Sequence, residues 1–158
     1  MSYCDKDCQK AHWQEHKSKC RTPEAREQAN RELRDASYDG NVSLIRALLS
    51  GGAANVNYAY AEGCTALMLA SQNNRIAAVM VLMQMGRANV NYAISVGVGD
   101  PDGCGLTALI SAAQNGHAEV VKVLVTVGQA DVNHARADGW TALISAAQYG
   151  HAEVVKLS

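Results

Sequence analysis

The 158-residue sequence has no excess charge of either sign and no long hydrophobic run. With 14 basic and 15 acidic side chains, its formal net charge is −1, so the charge balance does not favour a nucleic acid or an anionic membrane surface as partner. No stretch approaches the roughly 18 apolar residues of a membrane-spanning helix. The N-terminus carries charged residues at positions 5 to 7 and lacks the apolar core of a secretory signal. We therefore expect a cytoplasmic or nuclear protein with no nucleic-acid and no membrane partner.

The sequence also lacks the motifs of common enzyme sites. It contains no glycine-rich phosphate-binding loop, no nucleophile elbow and no paired-carboxylate arrangement. Its five cysteines are an odd number, and three of them cluster near the N-terminus, which favours a reducing compartment and metal ligation over a disulfide framework. Cys64 and Cys104 are isolated and are interpreted as ordinary thiols. These features predict a protein that is not an enzyme.

The strongest pattern in the sequence is an internal repeat. The segment TALISAAQNGHAEVVK, at 107–122, recurs at 141–156 with a single change, from Asn115 to Tyr149. The period is 34 residues, and one unit is longer by eight residues, which fall within 92–106. This register divides the chain after residue 21 into four units, 22–57, 58–91, 92–133 and 134–158. The last unit stops within its second helix.

Each unit is predicted to fold as helix, tight turn, helix and loop. In the third unit Thr107 is placed to cap the first helix, and Gly116 can adopt the left-handed conformation that ends it. Gly128 is expected to close the second helix. Helices of this length are marginal alone in water, so their stability must come from stacking on neighbouring units. The expected buried positions are Leu109, Ala112 and Ala113 in the first helix and Val120, Val121, Leu124 and Val125 in the second.

The two ends of the array are predicted to differ. Thr22-Pro23 opens a charged helix with a narrow apolar stripe, formed by Ala25, Ala29, Leu33 and Ala36, which is typical of a polar cap. At the other end the fourth unit stops before the apolar turn that completes the third. We therefore expect 141–158 to unfold first and the uncapped surface to permit self-association.

The repeated segments resemble the ankyrin repeat family. DGWTALISAAQYGHAEVVKLS and GHAEVVKVLVTVGQADVNH are similar to its Gly-x-Thr-Pro-Leu-His, Gly-His and Ala-Asp-Val-Asn pattern, with Ala108 and Ala142 in place of the usual proline. The resemblance covers about residues 30 to 158. It implies an all-α ankyrin repeat solenoid at 22–158 that binds a partner protein and has no chemistry of its own.

The first 20 residues carry a second pattern. Cys4 and Cys8 are four residues apart, as are His16 and Cys20, so each pair shares one face of a helix and can contact one metal ion. The intervening residues contain no glycine or proline and are predicted to be helical, which separates Cys8 from His16 by about 12 Å. A straight helix therefore cannot bring the four side chains to one zinc ion, and the pattern predicts two half-sites.

Together with Gln9 and Trp13, these four residues resemble the second half of a MYND zinc finger, and residues 1–21 are interpreted as that half. The resemblance implies that two zinc ions would need further ligands from four upstream cysteines, so the zinc site is incomplete in this chain. It also implies a groove for proline-rich peptides at Gln9 and Trp13.

The ankyrin resemblance implies a partner-binding surface of loop tips and first-helix ends. Trp140 and Tyr149 are the expected anchors, because exposed aromatic residues often dominate binding energy; for Trp140 the alternative is packing against its own loop. His117 and His151 are interpreted as structural. The expected surface comprises Glu62, Gln72, Asn73, Leu106, Gln114, Asn115, Asp138, Trp140, Gln148 and Tyr149.

Two further hypotheses follow. MYND fingers also occur in lysine methyltransferases of the SET class, so the chain could be a regulatory fragment of such an enzyme; against this, the repeats account for every residue after about 30. The glycine-rich insertion at 92–106 is predicted to be a long mobile finger that contacts the partner.

Overall fold

The computed structural model describes residues 22–60, 63–95 and 105–157, and four successive helix pairs make up this part of the chain. Within these ranges the regular elements are all helices, and none of them is long and apolar enough to cross a membrane. The pairs are α1 (Pro23–Asp39) with α2 (Val42–Ser50), α3 (Ala66–Gln72) with α4 (Ile76–Gln84), α5 (Ala108–Gln114) with α6 (Ala118–Thr126), and α7 (Ala142–Gln148) with α8 (Ala152–Val155).

The first helix of every pair begins at a threonine. Its hydroxyl oxygen accepts the backbone N–H three residues later, which satisfies one of the unpaired donors at the helix start. For Thr107 the oxygen lies 3.2 Å from the nitrogen of Ile110, as predicted. A left-handed residue follows each of these helices, with φ of 70° at Gly116 and 56° at Asn74. The structure thus confirms the predicted caps and turns.

Gly128 closes α6 as predicted, since it follows the end of the helix and its N–H donates to the carbonyl oxygen of Val123 at 3.2 Å, but it is not left-handed. The left-handed residue is Gln129, with φ of 54°. Gly128 is required for another reason, because a Cβ atom there would lie 2.7 Å from the carbonyl oxygen of Leu124 and 2.9 Å from Sδ of Met83 in the preceding unit. Glycine at this position lets the end of the helix approach its neighbour closely.

The helices form two layers. The first helices, α1, α3, α5 and α7, pack side by side in chain order, and the second helices form the adjacent layer in the same order. In α5 the predicted core residues Leu109, Ala112 and Ala113 are buried, and Ala108, Ile110 and Ser111 are buried as well. The additional burial arises because α5 has a neighbour on both sides, so more than one face of the helix is covered.

The N-terminal helix is polar outside and apolar inside, as predicted for a cap. Ala29, Leu33 and Ala36 are buried, but Ala25, which was expected to extend the stripe, is exposed. The reason is length: α1 has 17 residues and α3 only 7, so the first turns of α1 lie beyond the helix it packs against.

The C-terminal unit leaves one face open. Leu143 and Ile144 are 43% and 46% exposed, whereas Leu109 and Ile110, which hold the same positions in the third unit, are 2% and 1% exposed. The sequences around them are identical. The difference therefore comes only from the presence of a following unit, which covers the third unit and not the fourth.

The base of the insertion is packed. The N–H of Ile94 donates to the carbonyl oxygen of Leu106 at 3.0 Å, and the N–H of Gly105 donates to the carbonyl oxygen of Ile94 at 2.7 Å. Ile94 is buried, and its Cγ2 would lie 2.8 Å from a Cβ atom at Gly63. Ile94, Gly105 and Leu106 are therefore not part of the predicted mobile finger, because backbone hydrogen bonds join the two ends of the segment. Positions 96–104 lie outside the described residues.

Deleting eight residues between Ser95 and Gly105 should change the free energy of unfolding by less than about 1 kcal/mol, because loop-closure entropy depends weakly on loop length. Ile94→Ala should cost about 2–4 kcal/mol, because it leaves a cavity at the buried base. Urea denaturation of both variants followed by circular dichroism measures the contrast. A deletion as costly as Ile94→Ala would show that the deleted segment contributes to the packed structure.

Candidate protein-interaction surface

Four of the residues predicted to bind a partner line one recess. They are Gln114 at the end of α5, Tyr149 after α7, and Asp138 and Trp140 in the loop that joins α6 to α7; Arg136 completes the lining. The recess thus spans the third and fourth units, and it is called the Trp140 recess below. The sequence pattern alone did not indicate Arg136.

Backbone and side-chain hydrogen bonds shape the loop that carries Trp140. The N–H of Arg136 donates to the carbonyl oxygen of Trp140 at 2.9 Å, and Asp138 Oδ1 accepts the N–H of Trp140 at 3.0 Å. The second oxygen, Oδ2, lies 2.9 Å from Arg136 Nη2, and the Arg136 side chain is only 10% exposed. Low exposure strengthens this ion pair relative to one at the surface. The lining of the recess thus includes two charges that compensate each other.

Two aromatic rings line the recess. The ring centroids of Trp140 and Tyr149 are 6.5 Å apart with an interplanar angle of 56°, and Tyr149 also stacks on His151 at 6.4 Å. Tyr149 is 57% exposed, whereas Trp140 is half-buried. Tyr149 is therefore the more accessible of the two expected anchors. It is also the single difference between the two 16-residue repeats.

The remaining predicted residues do not line this recess. Asn73 and Asn115 use their side-chain amides locally, donating at 2.8 Å to the carbonyl oxygens of Leu69 and Ser111 one turn earlier. These bonds help to close the first helix, and the role of both residues as partner contacts stays a prediction. Gln72 and Gln148 are exposed elsewhere, Leu106 packs partly against the core, and Glu62 lies outside the described residues.

The histidines link one unit to the next. His117 Nε2 lies 2.9 Å from the carbonyl oxygen of Gln72, and His151 Nε2 lies 2.9 Å from that of Gln114. Arg75 makes the corresponding bond from Nε to the carbonyl oxygen of Tyr38 at 3.0 Å. These contacts agree with a structural interpretation of His117 and His151.

A second recess lies at the N-terminal end. Arg26, Asn30 and Tyr58 line it together with the 52–55 loop. Beside it, the hydroxyl of Tyr60 donates to the carbonyl oxygen of Asn30 at 2.8 Å, and the guanidinium of Arg34 lies over the Tyr60 ring. Burial raises the pKa of the Tyr60 hydroxyl above its usual range, which keeps it protonated as a donor. The arrangement serves packing at this end of the array.

The expected metal ligands are not among the described residues. Cys4, Cys8, His16 and Cys20, with the peptide-binding candidates Gln9 and Trp13, all precede residue 22. Across 22–60, 63–95 and 105–157, no cluster of three or more histidine, cysteine or acidic side chains could hold a metal ion. Of the two isolated cysteines, Cys64 packs partly against the core and Cys104 lies outside the described residues.

Comparison with known families agrees with the helix pairs. A family model described as "Ankyrin repeats (3 copies)" matches residues 88–157, and one described as "Ankyrin repeat" matches residues 62–94. No curated protein matches the sequence. The two matches run without a gap from 62 to 157, which includes the Trp140 recess and three of the four helix pairs. The chain belongs to the ankyrin repeat family.

Proposed function

We propose that the chain binds a partner protein through the Trp140 recess. Ankyrin repeats are protein–protein interaction modules, which supports the general function. The observation that carries the specific site is that a loop and the ends of two helices bring Gln114, Asp138, Trp140 and Tyr149 into one recess. On this proposal α1 and α2, which precede the matched residues, act as the polar first unit of the same array.

The chemistry of the recess favours an uncharged partner segment. Tyr149 and Trp140 offer aromatic surface, and apolar or aromatic side chains packed against such rings often act as hot spots. The lining carries no uncompensated charge, because Arg136 and Asp138 already pair. Affinity at this site should therefore depend little on salt concentration.

The test is a substitution that replaces Tyr149 with the residue at the same position of the preceding repeat. Tyr149→Asn makes 141–156 identical to 107–122, where Asn115 is accommodated, so the variant should fold. If Tyr149 is an anchor, the variant should bind the partner about 10- to 30-fold more weakly, the range of a hot-spot truncation. The partner captured by the unmodified chain is titrated against both proteins by calorimetry.

The matched control is Tyr38→Asn. Tyr38 is 53% exposed, close to the exposure of Tyr149, but it lies in the first unit, away from the recess. Affinity of Tyr38→Asn should equal that of the unmodified chain. Equal affinity of Tyr149→Asn and the unmodified chain would place the partner elsewhere on the array.

We also propose that residues 1–21 bind zinc as two incomplete half-sites, with Cys4 and Cys8 in one and His16 and Cys20 in the other. A structural zinc site uses four ligands, so each pair should hold zinc weakly until another chain supplies thiolates. After dialysis against a chelator, metal analysis of the monomer should find well under one zinc per chain. Stoichiometric zinc that survives this treatment, and that Cys4→Ser removes but Cys64→Ser does not, would show a complete site.

A further inference from the structure

The second helix of the second unit, α4, carries no charged side chain. Each of the other second helices carries at least one, for example Arg46 in α2 and Glu119 in α6. A helix that is apolar on all sides is normally buried. In α4, however, Ile76 is 37% exposed, and Ala77 and Gln84 are exposed as well. This helix therefore presents a largely apolar surface to water in the layer of second helices.

The accessible residues of α4 lie on one side of the helix. At about 3.6 residues per turn, they fall within an arc of about 100°. We call them the α4 face: Ile76, Ala77, Met80 and Gln84. The remaining arc supplies the residues that α4 buries in the core, which are Ala78, Val79, Val81 and Leu82. The α4 face is thus not needed for packing within the array.

Two positions of the α4 face are charged in the later units. Because the period is 34 residues and the third unit has eight more, Ala77 corresponds to Glu119 and Met80 to Lys122. In the fourth unit the same two positions form an ion pair, with 2.7 Å between the ammonium nitrogen and a carboxylate oxygen. Only the second unit of these three replaces the charged pair with alanine and methionine. A polar helix surface has therefore become apolar in one unit.

Two cations flank the α4 face. Arg46 and Lys122 hold the position of Met80 on the neighbouring helices α2 and α6. Arg46 also reaches the end of α4, where its Nη1 lies 3.3 Å from Sδ of Met85. Among the described residues, neither Arg46 nor Lys122 takes part in an ion pair. Glu119 lies three residues before Lys122 on α6, so the surface is basic on both sides of Met80 and acidic only nearer the start of α6.

We propose that the α4 face binds a helical segment of a partner protein that has apolar side chains on one side and acidic side chains on both flanks. The apolar side chains pack on Ile76 and Met80, and methionine suits this role because its unbranched side chain adapts to the surface it meets. The carboxylates pair with Arg46 and Lys122. The nine residues of α4 span about 14 Å, which matches two to three turns of a helix. This site is separate from the Trp140 recess.

Two other occupants match the α4 face less well. In a two-fold symmetric contact between two copies the same surface comes from each, so Arg46 and Lys122 of one copy would approach the same cations of the other. Surfaces that bind anionic lipids combine about four to eight basic residues, and tryptophan and tyrosine are enriched at the membrane interface. The α4 face has two flanking cations and no aromatic side chain.

A synthetic peptide of about 14 residues tests the proposal, with leucines at i, i+3, i+4 and i+7 and glutamates on both flanks of that stripe. Fluorescence anisotropy of the labelled peptide, titrated with the full chain in about 50 mM salt, should give a Kd of about 100 µM or lower. The same peptide with lysine for every glutamate should bind at least about tenfold more weakly, because Arg46 and Lys122 repel it. Absence of binding by the glutamate peptide, or equal binding of both peptides, would overturn the proposal.

The matched variant takes its residues from the third unit. Ala77→Glu combined with Met80→Lys places the charged pair of α6 on α4, so the variant should fold, which circular dichroism checks. It should bind the glutamate peptide at least about tenfold more weakly. Tyr149→Asn should bind the peptide as the unmodified chain does, so the α4 face and the Trp140 recess are tested separately. Unchanged affinity of the double variant, or weakened binding by Tyr149→Asn, would place the peptide elsewhere and overturn the proposal.

Methyl resonances of isotope-labelled methionines locate the peptide without any variant. The resonance of Met80 should shift when the glutamate peptide is added, whereas that of Met68, which is 2% exposed, should not. A Met80 resonance that stays unchanged while the peptide binds would contradict the proposal. Two further results would assign the α4 face to another occupant and overturn it: a dimer in sedimentation that the double variant converts to a monomer, or binding to vesicles of phosphatidylcholine and phosphatidylserine that the double variant abolishes.

Discussion

Ile110→Ala should lower the free energy of unfolding by about 2–5 kcal/mol, whereas Ile144→Ala should lower it by less than about 1 kcal/mol. The two isoleucines sit in identical sequence, but Ile110 is 1% exposed and Ile144 is 46% exposed. Removing the buried side chain leaves a cavity between α5 and its neighbours. Removing the exposed one takes away atoms that already contact water. Urea denaturation followed by far-ultraviolet circular dichroism measures both.

Each of these variants is the control for the other. Helix propensity, local sequence and the change in side-chain volume are the same at both positions, so the difference in cost isolates the effect of a following unit. Equal costs would mean that the fourth unit is covered in solution, by a second copy or by another segment, and that the open face does not exist.

Gly116→Ala should destabilise the protein by about 2–4 kcal/mol, and Gly150→Ala by only about 1 kcal/mol. Both glycines are left-handed, with φ of 70° and 74°, so both substitutions carry the same backbone penalty. Only at Gly116 would the new Cβ atom meet a ring, at 2.5 Å from His151. That ring would have to move and would lose its hydrogen bond to the carbonyl of Gln114.

A double-mutant cycle separates the two parts of this cost. In a His151→Ala background, Gly116→Ala should cost only the backbone penalty of about 1 kcal/mol, since the ring it displaces is gone. Thermal and urea unfolding of the four proteins give the coupling energy. A cycle with no coupling would show that the histidine ring does not pack on Gly116.

The local structure of each unit could be predicted from the sequence because its determinants lie within a few residues of one another. Thr107 caps a helix three residues away, and Gly116 and Asn74 adopt the left-handed conformation that only a few residue types tolerate. The role of Gly128 could be predicted only in part, because its contact with the carbonyl oxygen of Leu124 is local but its contact with Sδ of Met83 involves the preceding unit. Contacts between units are visible only once the units are stacked.

Only part of the candidate site could be predicted from the sequence. Resemblance to the family supplied Trp140 and Tyr149, but their convergence with Gln114 depends on how the loop before α7 folds. Arg136 was missed because its burial and its pairing with Asp138 arise from that loop. Asn115 is exposed, and the sequence did not indicate the bond between its amide and the carbonyl oxygen of Ser111.

The most direct test of the stacked array with one open end is amide hydrogen exchange along the unmodified monomer. Two segments of matching sequence, Ala108 to Val121 and Ala142 to Val155, differ in whether a following unit covers them. The stacked array predicts that amides of the second segment exchange at least about tenfold faster than their counterparts in the first. Equal protection of the two segments in a monomer would contradict it, because the fourth unit would then be stable without a neighbour on its open face.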